Sequence, residues 1–545
     1  MKTPDAADYC IGVAGAGAMG QGIVQVAVQG AGPGAGRGAG PGAGQGGIRT
    51  MLIDAREGAA AAAKEQVAGR LRRLVEKGRM GAEEAEAAIA LIEPATGPAD
   101  LAPCDTVVEA VFEDLEVKRT LFREIEAAVS ASCIIASNTS SIPIASIARA
   151  CARRGRIAGL HFFNPVPLMK LVEVIRAAET TDETAEALTA LGKRLTRVPV
   201  TVQDSPGFLV NMGGRAFTTE GLRIAHEQVA TPTQIDAIMR DCRHFRMGPF
   251  ELMDLTGIDV NYPVSQIVWE GYQQDPRLAT RPNHKAMFDA GLLGRKTGQG
   301  WYAYEGGKPV GVASPDHETT AAPATRVAIA KFDAAFDALV EQLGVDVETR
   351  ESAYAGGQHP DKLLAALAED LGLAVGEDDG SCPILAAPFG KDATHTASDA
   401  GIDHRRLVCL DVSGDTSKRI TIMTAPGADP AMRDAVAAAI MASGRKVTAI
   451  KDSPGFVAQR ITAMVANLGA YMAEIGLASP EDIDTAMKLG LNYPLGPLEF
   501  ADEMGPAHCL DILEQLHALA GEDRYRPTMW LRRRAVLGLP MRTPS

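Results

Sequence analysis

Ile11-Gly-Val-Ala-Gly-Ala-Gly-Ala-Met-Gly20 joins a short apolar run, Ile11–Ala14, to a glycine loop, and the helical pattern Gly22-Ile-Val-Gln-Val-Ala-Val-Gln29 follows. Strand, loop and helix in that order are the context a G-x-G-x-x-G motif requires. Gly15 permits the tight turn, Gly17 lets backbone approach a pyrophosphate, and Gly20 allows the helix to pack close to the strand. Met19 lies in the same loop. Without that context a structural glycine-rich turn would read the same way.

Such a loop should be followed, about 20 residues on, by an acidic residue that binds ribose hydroxyls at the end of the next strand. Asp54 ends the run Thr50-Met-Leu-Ile53 but stands 34 residues after Gly20. Residues 30–45 explain the excess: they are two tandem octamers, GAGPGAGR and GAGPGAGQ. Loops accept such length at small entropic cost, and this composition predicts a poorly ordered surface loop. Asp54 favours NAD, since a carboxylate repels the 2′-phosphate of NADP; Arg56 nearby pulls the other way.

The 545 residues are 46% apolar and 22% charged with a net charge of -14, which describes a globular chain of several domains. A nucleic-acid protein would show a basic domain or stripe. The eight cysteines are scattered singly, with neither disulfide nor zinc spacing, so no metal is expected and the compartment reads as reducing. The opening MKTPDAADYC lacks a signal-like apolar stretch, and no apolar run reaches the ~20 residues of a membrane span. A cytoplasmic protein without nucleic-acid or membrane partners is expected.

Sliding the chain on itself by 248 residues exposes a repeat. Asp204-Ser-Pro-Gly-Phe208 recurs at Asp452–Phe456, and 204–257 matches 452–505 at 17 of 54 positions without a gap. Pro and Gly at fixed spacing exclude mere similarity of helical composition. Thr231-Pro and Ser479-Pro open capped helices in both copies. The predicted order is an α/β domain over 8–203, a helical domain over 204–305 and a linker at 306–326. A degenerate α/β unit over 327–451 and a second helical domain over 452–540 follow.

His161 follows an apolar strand in Gly159-Leu-His-Phe-Phe-Asn-Pro-Val-Pro167, and Glu173 interrupts the apolar run Leu171-Val-Glu-Val-Ile175. A buried carboxylate is costly unless paired, and an imidazolium is a natural partner. Removing a hydroxyl proton near neutral pH suits His, with a carboxylate orienting the ring. A satisfied core histidine and an edge-strand charge would fit these residues alone as well.

GAGAMG (15–20), VVEAVFEDLEVK (107–118), SNTSS (137–141), HFFNPVPLMKLVEVI (161–175) and DSPGFLVN (204–211) occur in one order over about 300 residues. As a set they resemble the 3-hydroxyacyl-CoA dehydrogenase family, and the duplicated helical domain resembles its longer bacterial members associated with phenylacetate degradation. The resemblance implies a Rossmann-type domain, a helical domain and an active site in the cleft between them. It places the catalytic dyad on His161 and Glu173, with Ser140 and Asn211 contacting the substrate's oxygens. It places Glu113, Lys118 and Asn138 on the nicotinamide side of the cofactor. The implied reaction is NAD-dependent oxidation of an acyl-CoA substrate, 3-hydroxyadipyl-CoA or 3-hydroxybutyryl-CoA; a related dehydrogenase of a free hydroxy acid is the alternative.

At the same 248-residue shift His161 falls on Cys409, Glu173 on Thr421, Ser140 on Pro388 and Asn211 on Gln459. One active site per chain is therefore expected. The helical domains are expected to mediate either a homodimer or an intrachain pseudo-dimer.

Overall fold

The apolar run after Tyr9 forms β1 (Cys10–Ala14), near the centre of an eight-stranded sheet. The structure is a computed structural model that describes residues 1–30, 46–330 and 360–545. The octamer insertion beyond Gly30, with the poor order expected of it, lies outside the described residues, as does 331–359 of the second α/β segment. The chain divides into two compact units, Met1–Met212 with Gly476–Leu491, and Gly213–Ile475 with Asn492–Ser545.

In the first unit the further strands are β2 (Arg49–Ile53), β3 (Ile92–Pro94), β4 (Thr106–Glu109), β5 (Ile134–Ser137), β6 (Ile157–Phe162), β7 (Leu171–Arg176) and β8 (Val198–Gln203). They lie in the order β3-β2-β1-β4-β5-β6-β7-β8 and are parallel except where β6 meets β7. Strands buried on both faces read as continuous Val/Ile runs; β1, β4 and β5 are buried at every position. The strand order reverses between β1 and β4, the switch point beyond whose carboxyl ends open α/β sheets bind ligands. The glycine loop lies there, between β1 and the helix Ala18–Gln29.

The second unit holds a hairpin, β9 (Ala303–Glu305) with β10 (Lys308–Val310), and a six-stranded sheet. That sheet contains β11 (Arg326–Ile329), β12 (Ala374–Val375), β13 (Ile384–Ala386), β14 (Leu407–Leu410), β15 (Arg419–Met423) and β16 (Lys446–Ile450). Its order is β12-β11-β13-β14-β15-β16, with only β14 and β15 antiparallel. The last four strands thus repeat β5 to β8. The β7–β8 pair Leu171↔Val198 recurs as Arg419↔Lys446, displaced by 248 residues at both ends.

The segment expected to be a linker lies along this sheet. His317 N–H donates to Val447 O at 2.7 Å, Ala324 N–H to Ala435 O at 2.9 Å, and Thr448 Oγ1 to Pro315 O at 3.2 Å. In the same unit the helix Arg215–His226 packs on Ala458–Glu474, its counterpart in the repeat. A buried ion cluster joins them: Arg460 Nε donates to Glu220 Oε1 at 3.0 Å, Arg524 Nη2 lies 2.9 Å from Oε2, and Tyr525 donates to Oε1 at 2.8 Å.

The sheet edges are covered reciprocally. In the first unit Gln203 N–H at the end of β8 donates to Leu477 O at 2.9 Å, and Thr201 N–H donates to Asp482 Oδ2 at 3.2 Å, on the helix Pro480–Leu491. In the second unit Lys451 N–H donates to Val229 O at 3.0 Å, and Gln234 Nε2 of the helix Pro232–Arg243 donates to Ala449 O at 3.2 Å. Each helical repeat thereby covers the outer strand of the α/β segment it does not follow in sequence, hiding an edge that would otherwise pair with another chain.

Candidate active site

The antiparallel crossing of β6 and β7 makes His161 and Glu173 direct cross-strand partners, so their side chains leave the same face of the sheet. His161 Nδ1 lies 2.7 Å from Glu173 Oε2, and the two residues are 6% and 1% exposed. Glu173 Oε1 accepts from Leu209 N–H at 3.1 Å and Val210 N–H at 2.9 Å. Those amides follow the Asp204–Phe208 turn, whose Asp204 accepts from Ile144 N–H and Ala145 N–H at 2.9 and 2.8 Å. Every oxygen of the buried carboxylate is therefore engaged, as a buried charge requires. A carboxylate on Nδ1 selects the tautomer with its proton there and leaves Nε2 as the basic nitrogen. Among the described residues no hydrogen bond reaches Nε2. Phe163 and Phe208 flank the imidazole at centroid distances of 4.5 and 5.9 Å.

Ser140 is exposed in the loop after β5, and Asn211 Nδ2 donates to its carbonyl at 3.4 Å. Asn211 directly follows Val210, which binds Glu173, so Ser140, Asn211, Glu173 and His161 form one connected array. Asn138 is 9% exposed, and its Oδ1 accepts from Phe162 N–H at 2.8 Å, joining the same loop to the end of β6.

Glu113 gathers that loop from the other side. Its Oε1 accepts from Thr139 Oγ1 at 2.6 Å, Ser140 N–H at 2.9 Å and Ser141 N–H at 3.2 Å. Burial would raise its pKa, but the Thr139 hydroxyl and the Lys118 ammonium hold it below the ordinary value. Lys118 is 1% exposed, with its ammonium 2.7 Å from Glu109 Oε1 and 3.2 Å from Glu113 Oε2. Glu109 is a residue the motif reading missed. It is fully buried, and its Oε2 accepts from Ser137 Oγ at 2.6 Å. The signal was present: like Glu173, it is a carboxylate in an apolar strand, Thr106-Val-Val-Glu109.

The glycine loop fits a dinucleotide. A Cβ on Gly15 (φ +118°) would lie 2.5 Å from Ala110 O, and one on Gly20 would lie 1.8 Å from Gly15 O, so both positions need bare backbone. A Cβ on Gly17 would meet nothing within 4 Å, which leaves open space at the uncapped start of the helix Ala18–Gln29. Free N–H groups at a helix N-terminus suit a pyrophosphate. Asp54 directly follows β2; its Oδ2 accepts from Ala16 N–H at 2.8 Å and its Oδ1 takes the Arg56 Nε at 3.0 Å. Against the upward push of burial, Arg56 and these backbone amides keep the Asp54 carboxyl below its ordinary pKa. Arg56, whose presence argued for NADP, is engaged by the acid that argues for NAD.

The second copy corrects the ungapped match of His161 to Cys409. Cys409 pairs with Met423 and Leu410 with Ile422, which sets Asp411, not Cys409, opposite Thr421. Asp411 N–H donates to Thr421 O at 3.0 Å. Two residues gained before β14 are lost again before β15, a shift that fixed-offset matching cannot detect. Asp411 Oδ1 accepts from Ser413 Oγ at 2.6 Å and from Gln459 Nε2 at 3.1 Å. Gln459 Nε2 also donates to Pro388 O at 3.1 Å, as Asn211 does to Ser140 O. The scaffold persists without the histidine or the glutamate.

Among the described residues one group has metal-ligand spacing, Asp378, Asp379 and Cys382, but Arg406 and Arg326 engage its two carboxylates.

Comparison with known proteins identifies the family. The family model described as 3-hydroxyacyl-CoA dehydrogenase, NAD binding domain, matches residues 10–205, and that of the C-terminal domain matches 207–304 and again 455–543. The 3-hydroxyadipyl-CoA dehydrogenase of Escherichia coli K12 is 33% identical over 528 residues, 97% of each chain. A probable 3-hydroxybutyryl-CoA dehydrogenase of Deinococcus radiodurans is 37% identical over 54% of this chain and 99% of its own. The crystal structure of a 3-hydroxybutyryl-CoA dehydrogenase from Escherichia coli K12 superposes with a TM-score of 0.78 at 31% identity, covering 99% of both chains. The chain belongs to the 3-hydroxyacyl-CoA dehydrogenase family.

Proposed function

We propose that His161 is the base in an NAD-dependent oxidation of a 3-hydroxyacyl-CoA to the 3-ketoacyl-CoA, with one active site per chain. The activity itself accords with the family and its NAD-binding domain. The observation that carries the assignment is the 2.7 Å contact of His161 Nδ1 with a fully engaged Glu173, which leaves Nε2 available. Nε2 takes the 3-hydroxyl proton as the alcohol becomes a ketone, and Glu173 stabilises the imidazolium that results. Asn211 and Ser140 orient the substrate oxygen beside the ring. NAD, when bound, supplies the electron acceptor for the reaction. Gly15, Gly17, Met19 and Gly20 would hold its pyrophosphate, Asp54 its ribose, and the Glu113–Lys118–Asn138 group the nicotinamide side.

3-Hydroxyadipyl-CoA is the substrate we favour, because the relative matching nearly the whole chain is named for it; 3-hydroxybutyryl-CoA is second. Steady-state kinetics over a series of 3-ketoacyl-CoA chain lengths, with NADH and with NADPH, tests the reading. A preference for the dicarboxylic substrate with NADH supports it. Turnover restricted to free keto acids overturns it.

The reciprocal edge contacts and the paired helices support an intrachain pseudo-dimer in which 204–305 and 452–540 play the two halves. Light scattering of the intact chain should return the mass of a single chain. We place the protein in the cytoplasm on its eight cysteines, which form no disulfide. Among the described residues no helix is long and apolar enough to cross a membrane.

A further inference from the structure

Cys10 opens β1, and Cys104 precedes β4, the neighbouring strand. Their sulfurs lie 3.8 Å apart although 94 residues separate them in the chain. Both thiols are buried, 2% exposed each; beside them Cys10 N–H donates to Asp105 Oδ2 at 2.9 Å, and Lys2, with a 31% exposed side chain, lies 3.3 Å from that carboxylate. Space for the second thiol comes from Gly12, where a Cβ would stand 3.1 Å from Cys104 Sγ. The two thiols are also unlike. The contact between them, in which either sulfur can donate, holds Cys10 below the ordinary thiol pKa, whereas that contact and burial push Cys104 up. A lowered thiol pKa favours the thiolate, the nucleophile in attack on a peroxide.

We propose that Cys10 and Cys104 form an oxidation site that closes to a disulfide under peroxide. A disulfide requires sulfurs about 2.05 Å apart, so these two, now 3.8 Å apart, must approach by under 2 Å. Cys10 thiolate attacks one peroxide oxygen, giving the sulfenic acid and, after protonation, one water. Cys104 sulfur then attacks the sulfenic sulfur, its proton leaves with the hydroxyl as a second water, and the S–S bond forms. Two thiols are oxidised and one hydrogen peroxide is reduced. A dithiol reductant reverses the step.

The test treats the intact protein with hydrogen peroxide, alkylates remaining thiols under denaturing conditions and maps the peptides. The expected result is a Cys10–Cys104 linked peptide, a mass about 2 Da lower and loss of two of the eight titratable thiols, all reversed by dithiothreitol. Cys133, whose thiol also lies nearby and is pushed up by burial to about 12, is the control. A Cys133→Ser protein should still form the link, and a Cys104→Ser protein should stop at the sulfenic acid on Cys10, captured by dimedone. Both thiols remaining alkylatable, or Cys10 linked to Cys133 instead, overturns the proposal. The wild-type map alone decides it if a variant fails to fold.

Discussion

Strands β6–β7 and β14–β15 are the same device built twice, one carrying a site and the other only its frame. Both are the antiparallel step in an otherwise parallel sheet. Both are followed by an Asp-Ser-Pro-Gly-Phe turn whose aspartate caps a short helix: Asp204 accepts from Ile144 N–H at 2.9 Å, and Asp452 from Ala393 N–H at 2.7 Å. Phe208 and Phe456 adopt the same positive φ, 49° and 50°. In one copy the crossing presents His161 to Glu173; in the other Asp411 stands opposite Thr421, and its carboxylate is consumed by Ser413 and Gln459. The features common to both copies are those that close turns, cap helices and cover edges, so folding requires them in each half. The features confined to the first copy are those needed for proton removal.

The largest expected effect separates the two copies by chemistry. His161→Ala should lower kcat about 100- to 10,000-fold, the usual worth of a positioned base, with NAD affinity retained. Asp411→Asn, at the opposed position of the second copy, should leave turnover per folded molecule unchanged. Comparable losses in both variants would show that the second crossing is not silent.

A smaller effect probes what joins the repeats. Arg460→Met leaves fully buried Glu220 without one of its two closest cations. Removing one partner of a buried pair typically loses about 3–5 kcal/mol of stability, readable by urea unfolding. A loss near zero would mean that apolar packing of the helices suffices.

The smallest effect is a pH dependence from a buried histidine that only the first copy carries. Burial, with the Arg215 cation adding to it, pushes His284 down from 6.5 to about 4. Between these values the unfolded chain binds the proton that the folded chain refuses. Stability is thus complete above about pH 6.5 and drains as the pH falls toward 4, by at most about 3 kcal/mol. The corresponding helix Met529–Leu537 has no histidine. His284→Gln should flatten this acid limb; an unchanged limb would assign it elsewhere.

Much of this was legible in the residues. Carboxylates inside apolar strands mark buried partners, a pattern that holds for Glu173 and for Glu109 alike. The octamers explained the long spacing to Asp54, which the structure sets on the glycine loop through Ala16 N–H. Three features show only in the folded structure. The two-residue shift that brings Asp411 to the second crossing preserves the strand face, so periodicity does not reveal it. The burial of Lys118 between two glutamates depends on how the helix start meets β4. The edge contacts at Leu477 and Val229 join segments more than 200 residues apart, beyond any local pattern.

The central claim is a single functional nucleotide site in a duplicated chain. Equilibrium titration of the intact protein with NADH, followed by calorimetry, tests it most directly. The account predicts one NADH bound per chain, and two per chain would contradict it.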